Sequence, residues 1–312
     1  MPLLNFIKFH GFGNDYIVLE ENDIEDVLSV NELVRRICDR HYGAGADGIV
    51  TVRRSQTEDA DFAARIFNSD GSEAQISGNG TRCAVAYLYY SGQWSEPVLN
   101  LQTLAGIKRY TLLETLSPGH YWFEAVLGLP HFDSASIPMI TADPHARVTN
   151  YPLQVDGITF GITAVQTGNP HCVIFVEDFE SVDWRRFGSL LETHEAFPQK
   201  TNVEFVRVID RNNIEIRIWE RGVGETLSSG TCSCGAAIAS MINDHTDRRV
   251  TVHTEGGLIQ VEWRDDDQIA MTGRADIIYR GNRQIWLQPN TPSRGEHWDR
   301  VDRPAARDWS AS

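Results

Sequence analysis

Short runs in which apolar and polar residues alternate recur along most of this chain. Alternation with a period of two places side chains on the two faces of a strand in turn, and Gly, Asn, Asp and Ser separate the runs as turns do. The pattern predicts strands at "NFIKF", "DYIVLE", "GIVTVRR", "FAARIFN", "YTLLETL", "YWFEAVLG", "HCVIFVED", "VEFVRVI", "IEIRIWE", "RVTVHT", "LIQVEW" and "IIYRGN".

Helical patterns are few. The segment "SVNELVRRICDRHYG" has a Ser/Asn start, apolar residues at helical spacing and a Gly stop, and "VDWRRFGSLLETH" is a second such segment. Two more helices are predicted directly after Ser77 and Ser229. Many strands with so few helices favour an α+β fold over a doubly wound parallel sheet.

The segments after Ser77 and Ser229 are two copies of one pattern. Residues 73–88 read "EAQISGNGTRCAVAYL" and residues 225–240 read "ETLSSGTCSCGAAIAS". Each has a Glu, three residues, Ser-Gly, and then small and apolar residues typical of a buried helix. The copies lie about half the chain apart, which indicates two related halves that each present a helix N-terminus to a shared cleft.

A helix N-terminus has free N–H donors and a positive dipole end, so it binds an anion without a cationic side chain. Gly78, Gly80 and Gly230 would let a ligand approach the backbone closely. Serine is also a good N-cap, so each site alone could be an ordinary helix cap. The duplication favours two ends that hold one carboxylate from both sides.

Further polar, glycine-rich segments are "FHGFGNDY", "GAGADGI", "QTGNPHCV" and "WERGVGET", with "RIFNSDGSE" and "KTNVEF" beside them. Each could be a plain turn, because Asn, Asp and Gly are turn residues. Asparagines beside strand ends, accompanied by His171, Glu220 and Arg221, also suit a ligand with an ammonium group and a second carboxylate.

Composition narrows the class of protein. With 312 residues and 41% hydrophobic content the chain can bury a large core in two domains. A formal charge of −15 without a Lys/Arg-rich run argues against nucleic acid as a partner. No apolar stretch approaches a membrane span, and the N-terminus lacks a signal-peptide pattern.

The five cysteines are scattered and odd in number, which favours reduced thiols and a cytoplasmic location. Cys232-x-Cys234 could suggest zinc, but the spacing is short and no second Cys/His pair lies nearby, so we predict no metal. The polar segment 290–312, with Pro, Gly and alternating charge, is predicted to be a disordered extension.

At this point the sequence resembles a family. The segments "FHGFGNDY", "GADG", "FNSDGSEAQISGNGTRC", "TGNPHCV", "TNVEF", "WERGVGETLSSGT" and "MTG" match, in order, the motifs of diaminopimelate epimerase. The resemblance implies two pseudo-symmetric domains, each a curled mixed sheet around a central helix. One domain would comprise residues 1–127 and 276–289, and the other residues 128–275.

The resemblance also implies a cofactor-free epimerase that converts the amino acid LL-diaminopimelate to its meso isomer for lysine and cell-wall synthesis. The family usually forms a homodimer, with Tyr279 at the expected interface. His171 and Glu220 would assist proton movement. The distal end of the substrate would be held by Asn14, Asn68, Asn169, Asn202, Glu220 and Arg221, and the reacting carboxylate by Gly78, Asn79, Gly230 and Thr231.

The chain departs from the family at the two acid/base positions. The family uses two cysteines on opposite faces of the α-carbon, and Ser77 and Ser229 occupy these positions here. A thiol has a pKa of about 8.5, whereas a serine hydroxyl stays protonated and abstracts a proton poorly unless another base activates it.

Three functions remain open from the sequence. The protein could run the same epimerisation with an activated serine pair, or a related lyase or isomerase reaction on a hydroxy amino acid. It could also be a paralogue, or an engineered Cys→Ser form, that binds diaminopimelate without turnover. A serine hydrolase is disfavoured because neither serine lies in a G-x-S-x-G elbow, and "GFGND" lacks the third glycine of a dinucleotide site.

Overall fold

A computed structural model describes residues 3–24 and 29–284 of the chain. The predicted disordered extension, residues 290–312, lies outside these residues. The helices are α1 (Val30–Cys38), α2 (Gly78–Tyr90), α3 (Trp184–Glu192) and α4 (Gly230–Ile242). The strands are β1 (Leu3–Gly11), β2 (Asn14–Glu20), β3 (Gly48–Arg54), β4 (Phe62–Asn68), β5 (Glu73–Ala74), β6 (Val98–Thr103), β7 (Gly106–Ser117), β8 (His120–Gly128), β9 (Val148–Val155), β10 (Ile158–Gln166), β11 (Pro170–Phe175), β12 (Asn202–Asp210), β13 (Asn213–Glu220), β14 (Gly224–Thr226), β15 (Arg249–Thr254), β16 (Gly257–Trp263) and β17 (Ile269–Gln284).

The strands of the first half close into a barrel. Antiparallel pairs join β1 to β2, β3 to β4, β6 to β7 and β7 to β8, while β2–β3 and β4–β6 are parallel. Strand β17 pairs with both β8 and β1 and so completes the ring. Helix α2 fills the barrel and contacts β1, β2, β3, β4, β6, β8 and β17.

The second half repeats this order of elements. Strands β10–β13, β15 and β16 pair in the same alternation of antiparallel and parallel neighbours, with β9 on the outer side of β10. Helix α4 packs inside the curve against strands β10–β13 and β15–β17. The fold class predicted from the sequence, α+β with curled sheets around central helices, is confirmed.

Strand β17 belongs to both halves. Its first residues, Ile269 to Thr272, pair with β16 on one side, and its last residues, from Asp276 on, pair with β1. Strand β8 pairs with Ile269 to Asp276 and so lies along the first half of β17. The predicted domain boundary at residues 275 and 276 falls inside this continuous strand. The division into two domains at that position stays a prediction.

The four helices lie where the sequence predicts them, and the burial of each follows its side chains. Helices α2 and α4 consist mainly of small and apolar residues that are buried on every side, as a helix enclosed by a sheet requires. Helices α1 and α3 bury one face; the other face exposes Glu32, Arg35 and Arg36 in α1 and Arg185 and Arg186 in α3. No helix in the described ranges is long and apolar enough to cross a membrane.

Candidate active site

The two central helices meet at their N-termini. Helix α2 begins at Gly78 and helix α4 at Gly230, and a Cβ atom added to Gly78 would lie 3.4 Å from the Cα atom of Gly230. A methyl group at Gly78 would therefore already be in van der Waals contact with the start of the other helix. The arrangement places two sets of free backbone N–H groups, and two positive dipole ends, beside one cleft.

Ser77 caps helix α2 and contacts a buried tyrosine. Its Oγ accepts a hydrogen bond from the Gly80 N–H at 3.1 Å and lies 2.9 Å from the hydroxyl of Tyr16. Burial raises the pKa of Tyr16 above its ordinary value, so the phenol is neutral. If Tyr16 donates to Ser77, the proton of Ser77 is free to point to a ligand.

Ser229 occupies the equivalent position of α4 but does not cap the helix with its side chain. Its hydroxyl donates to Oε1 of Glu220 at 3.4 Å and lies 3.5 Å from Oγ1 of Thr231. Burial raises the pKa of the Glu220 carboxyl. The two serines therefore differ: Ser77 is paired with a neutral phenol, and Ser229 with a carboxyl group.

Asparagines join the two helix starts. Nδ2 of Asn79 donates to Oδ1 of Asn14 at 3.1 Å and to the backbone oxygen of Ser228 at 3.3 Å. Asn14 in turn donates to Oδ2 of Asp47 at 2.8 Å. This chain of hydrogen bonds fixes Asn79, in the first turn of α2, against the residue that precedes Ser229.

An ion network that extends from the buried Lys8 and Asp15 to the exposed Arg40 holds Asn14 and Asp47 in place. Arg40 lies 2.7 Å from Asp47 and 2.9 Å from Asp15, and the ammonium group of Lys8 lies 2.5 Å from Asp15. Although burial opposes ionisation, hydrogen bonds from Arg40 and Lys8 keep the pKa of Asp15 below its usual value. The sequence did not identify this network.

His171 lies behind helix α4. Its Nδ1 is 2.7 Å from Oε1 of Glu204 and its Nε2 is 2.8 Å from Oδ1 of Asn169. A Cβ at Gly235 would lie 2.5 Å from the ring, so only glycine leaves room for this imidazole. Both ring nitrogens are engaged, and the histidine is fully buried.

The other predicted binding residues lie in two places. Asn68 and Arg221 line the cleft, and Asn202 is buried behind it, where its side chain accepts from the backbone N–H of Arg221 at 2.9 Å. Asn202 also donates to the backbone oxygen of Pro170 at 3.0 Å. Asn169 and Asn202 thus make hydrogen bonds within the protein and are not among the residues that line the cleft.

The cleft has a volume of about 620 Å³ and is lined by Asn14, Tyr16, Asn68, Ser77, Glu220 and Arg221, among others. Ser228, which directly precedes Ser229, also lines the cleft, while Ser229 and Thr231 themselves are almost completely buried. The site is therefore a polar pocket that ends at the junction of the two helices, and it is large enough for a small amino acid.

One group of side chains has metal-ligand chemistry. A nitrogen of His171, an oxygen of Glu204 and Sγ of Cys232 lie within 4.8 Å of one another. In the structure, a hydrogen bond joins His171 to Glu204, which explains their proximity without a metal. Cys234, the second cysteine of the C-x-C segment, is not in this group.

Sequence reasoning missed Tyr16 and Arg82. Tyr16 is the last residue of the glycine-rich segment "FHGFGNDY", but it also begins a run typical of a strand, so its position indicated only a strand residue. Arg82 is the one charged side chain in helix α2, and it is fully buried. A charged residue in an otherwise small and apolar helix was the available signal.

Comparison with solved structures gives the fold class. The chain matches a phenazine biosynthesis protein of the PhzF family from Bacillus anthracis with a TM-score of 0.63 and 18% identity, over 91% of this chain and all of that one. It matches a probable proline racemase from Agrobacterium radiobacter with a TM-score of 0.64 and 17% identity, over 93% and 94% of the two chains. The fold is the one shared by these proteins.

Comparison with sequences gives the family. A family model described as diaminopimelate epimerase matches residues 6–117 and 163–278. The diaminopimelate epimerase of Pelotomaculum thermopropionicum is 42% identical over 283 residues, covering 89% of this chain and 98% of that protein. The one from Desulfitobacterium hafniense is 40% identical over 282 residues, with 89% and 97% coverage. The chain therefore belongs to the diaminopimelate epimerase family.

The buried state of the cysteines gives a testable prediction. Burial raises the pKa of Cys38, Cys83 and Cys234 to about 12, and that of Cys172 and Cys232 well above the usual value. We expect a chromogenic disulfide reagent, which reacts with thiolates, to modify no cysteine of the native protein within minutes at about pH 7.5. After denaturation the same reagent should modify all five cysteines.

The variant Ser77→Cys is the matched positive control, because its new thiol would lie in the cleft at a helix N-terminus and should react with the native protein. Rapid modification of a native wild-type cysteine would contradict the prediction.

Proposed function

We propose that the protein is an isomerase that inverts one α-carbon of LL-diaminopimelate to give the meso isomer. The family supports this substrate, since relatives about 40% identical over nearly their whole length are named diaminopimelate epimerase. The single observation that carries the mechanism is the meeting of two helix N-termini, each preceded by a serine with a different proton partner.

The distal end of the substrate binds where the cleft is most polar. Arg221 uses one guanidinium nitrogen to contact the backbone oxygen of Gln199, so its other N–H groups remain for a carboxylate. Asn68 and Asn14 supply amide groups, and Glu220 and Asp47 supply negative charge for an ammonium group. A shorter amino acid would leave Arg221 and the asparagines without partners.

The reacting end binds at the floor of the cleft. Its carboxylate accepts hydrogen bonds from backbone N–H groups of Gly78, Asn79, Gly230 and Thr231 at the two helix starts. When the α-proton leaves, negative charge moves onto this carboxylate, and the donors are already oriented toward it. Their fixed orientation lowers the barrier without any rearrangement of the protein.

Ser229 and Glu220 act as the base. The hydroxyl oxygen of Ser229 takes the α-proton while its own proton passes to the Glu220 carboxylate. The C–H bond breaks, its electron pair moves toward the substrate carboxylate, and Glu220 ends in its protonated form. A raised carboxyl pKa makes Glu220 a better base than an exposed glutamate.

Ser77 and Tyr16 act as the acid on the opposite face. Ser77 gives its proton to the carbanion while Tyr16 passes its proton to Ser77, which leaves the phenolate as the conjugate base instead of a far more basic alkoxide. Proton exchange with cleft water then restores the ionised Glu220 and the neutral Tyr16. The reverse reaction uses the same pairs in opposite roles.

His171, Asn169 and Asn202 support the site from behind. We propose that His171, held by Glu204, orients Asn169 and the wall to which α4 is packed. This differs from the direct proton assistance expected for His171 from the family resemblance. Asn202 fixes the backbone of Arg221 and so sets the position of its side chain.

The setting of the enzyme is also part of the proposal. We propose that it works in the cytoplasm without pyridoxal phosphate or a metal, as a homodimer with Tyr279 at the interface. Tyr279 lies partly exposed on β17, packs its ring edge against Phe6 at 6.1 Å and donates to the backbone oxygen of Ala44 at 2.9 Å. Leu3 and Ile278 are exposed apolar residues on the same pair of strands.

Incubation with LL-diaminopimelate in D₂O tests the function. We expect NMR to show deuterium at one α-carbon together with formation of the meso isomer. The control is the double variant Ser77→Ala/Ser229→Ala, which should bind the substrate and exchange no proton. Loss of water to a keto acid would show a lyase instead.

Binding without exchange by the wild type would contradict turnover. In that case recovery of exchange in Ser77→Cys/Ser229→Cys would identify the wild type as a binding protein on an epimerase scaffold.

The carboxyl partner of Ser229 predicts how kcat/KM depends on pH. Glu220 must be ionised to act as base and its pKa is raised, so kcat/KM should fall as pH drops through a value above the ordinary 4.5 of glutamate. Glu220→Gln should remove this acidic limb and slow exchange by about 10²–10⁴-fold, and Tyr16→Phe should slow it by at least about tenfold.

The matched control is Glu215→Gln on the same strand, since Glu215 pairs with Arg207 and Arg217 away from the cleft. An unchanged acidic limb in Glu220→Gln would show that another group is the base.

A further inference from the structure

Arg82 is a buried cation without an acidic partner. It lies in the second turn of α2 and none of its side chain reaches solvent. Its guanidinium donates to Oδ1 of Asn79, to the backbone oxygen of Arg274 at 3.3 Å, and lies 3.8 Å from the sulfur of Met271. Within residues 3–24 and 29–284, no Asp or Glu forms a salt bridge with it.

Such a charge is unfavourable in the ligand-free fold. Removal of an ion from water carries a penalty of several kcal/mol that neutral hydrogen bonds offset only in part. Burial lowers the pKa of Arg82, but an arginine starts so high that the guanidinium remains charged. A compensating anion would relieve this penalty.

Three glycines make room for the guanidinium at one particular place. A Cβ atom on Gly11 would lie 3.0 Å from Nη2 of Arg82, and one on Gly273 would lie 3.0 Å from its Cζ. A Cβ atom on Gly230 would lie 3.5 Å from Nη1 of Arg82. Gly230 is the first residue of α4. The charge of Arg82 therefore lies directly behind the junction at which the N-termini of α2 and α4 meet.

Arg82 is also connected by hydrogen bonds to both sides of that junction. Through Asn79 it is connected to Asn14 and to the backbone oxygen of Ser228, which precedes Ser229. A full positive charge thus adds to the two partial charges of the helix ends and is linked to the loop on each side of the cleft.

We propose that Arg82 is the counter-ion of the reacting carboxylate: a positioning residue that lies behind the helix junction and whose charge is balanced only when substrate binds. This inference rests on the proposed function for the identity of the anion. Because the carboxylate gains negative charge as the α-proton leaves, Arg82 strengthens binding of the substrate and stabilises the carbanion further.

A purely structural role for Arg82 makes a different prediction. If the arginine only ties α2 to β17 through Arg274 and Met271, its loss should lower the stability of the ligand-free protein. If its charge awaits an anion, an apolar side chain of similar length should leave the ligand-free protein at least as stable, because the unpaired buried charge is gone.

The test compares wild type, Arg82→Met, Arg82→Lys and Arg274→Met. Arg274 is the matched control because it is an arginine close by that is half exposed and paired with Asp276. Thermal unfolding without ligand gives stability, and calorimetric titration with meso-diaminopimelate gives the dissociation constant. Deuterium exchange at the α-carbon in D₂O, at saturating ligand, separates binding from catalysis.

We expect Arg82→Met to melt at or above the wild-type temperature without ligand and to bind diaminopimelate at least about 30-fold more weakly, with slower exchange even at saturation. Arg82→Lys keeps the charge and should bind at least about threefold more tightly than Arg82→Met. Arg274→Met should bind like the wild type.

Two results would overturn the inference alone. The first is equal binding by wild type and Arg82→Met. The second is that Arg82→Met is much less stable than the wild type without ligand, while its folded fraction binds diaminopimelate with the wild-type dissociation constant. Unfolding alone would then account for the weaker binding. Failure of the wild type itself to bind diaminopimelate would instead overturn the proposed function, and the anion assigned to Arg82 with it.

Discussion

The contact between the N-termini of α2 and α4 is the constraint on which the rest of the structure depends. Each helix is enclosed by its own curled sheet, and the N–H groups of its first turn have no backbone partner within the helix. Glycines at the first positions allow the two ends to approach within a single ligand's reach. The cleft is lined by Ser77 and Ser228, beside the two helix starts, and Ser77 and Ser229 each directly precede one of them.

A symmetric fold here carries an asymmetric site. The same Glu-x-x-x-Ser-Gly pattern begins both helices, yet Tyr16 of β2 meets Ser77 and Glu220 of β13 meets Ser229. An epimerase needs unlike groups on the two faces of one carbon, one that removes a proton and one that supplies it. With serine at both positions, this difference must come from the partner groups.

Much of the fold could be predicted from the sequence because local signals agreed with it. All four helices have caps or small-residue patterns, and most long strands have period-two alternation. Strand β6 was not predicted, and strands β9 and β10 were missed because Pro152 and Gly161 interrupt their patterns. The structure places these two residues opposite each other, and β9 lies at the edge of its sheet, where proline is tolerated.

The site could be predicted only in part, for a physical reason. The sequence motifs identified Ser77, Ser229 and the asparagines. The hydrogen-bond partners of these residues depend on contacts between segments that are distant in the sequence. The sequence could not show that Ser229 turns away from capping its helix toward Glu220, or that Glu204 holds His171. The unpaired state of Arg82 likewise exists only in the assembled core.

A crystal structure of the complex with meso-diaminopimelate would show directly whether both helices bind the substrate. We expect one substrate carboxylate to accept hydrogen bonds from backbone N–H groups of both α2 and α4. We also expect an α-carbon between the two serine oxygens, on opposite faces and about 3–3.5 Å from each. A carboxylate held by one helix alone, or two serines on the same face of that carbon, would contradict this expectation.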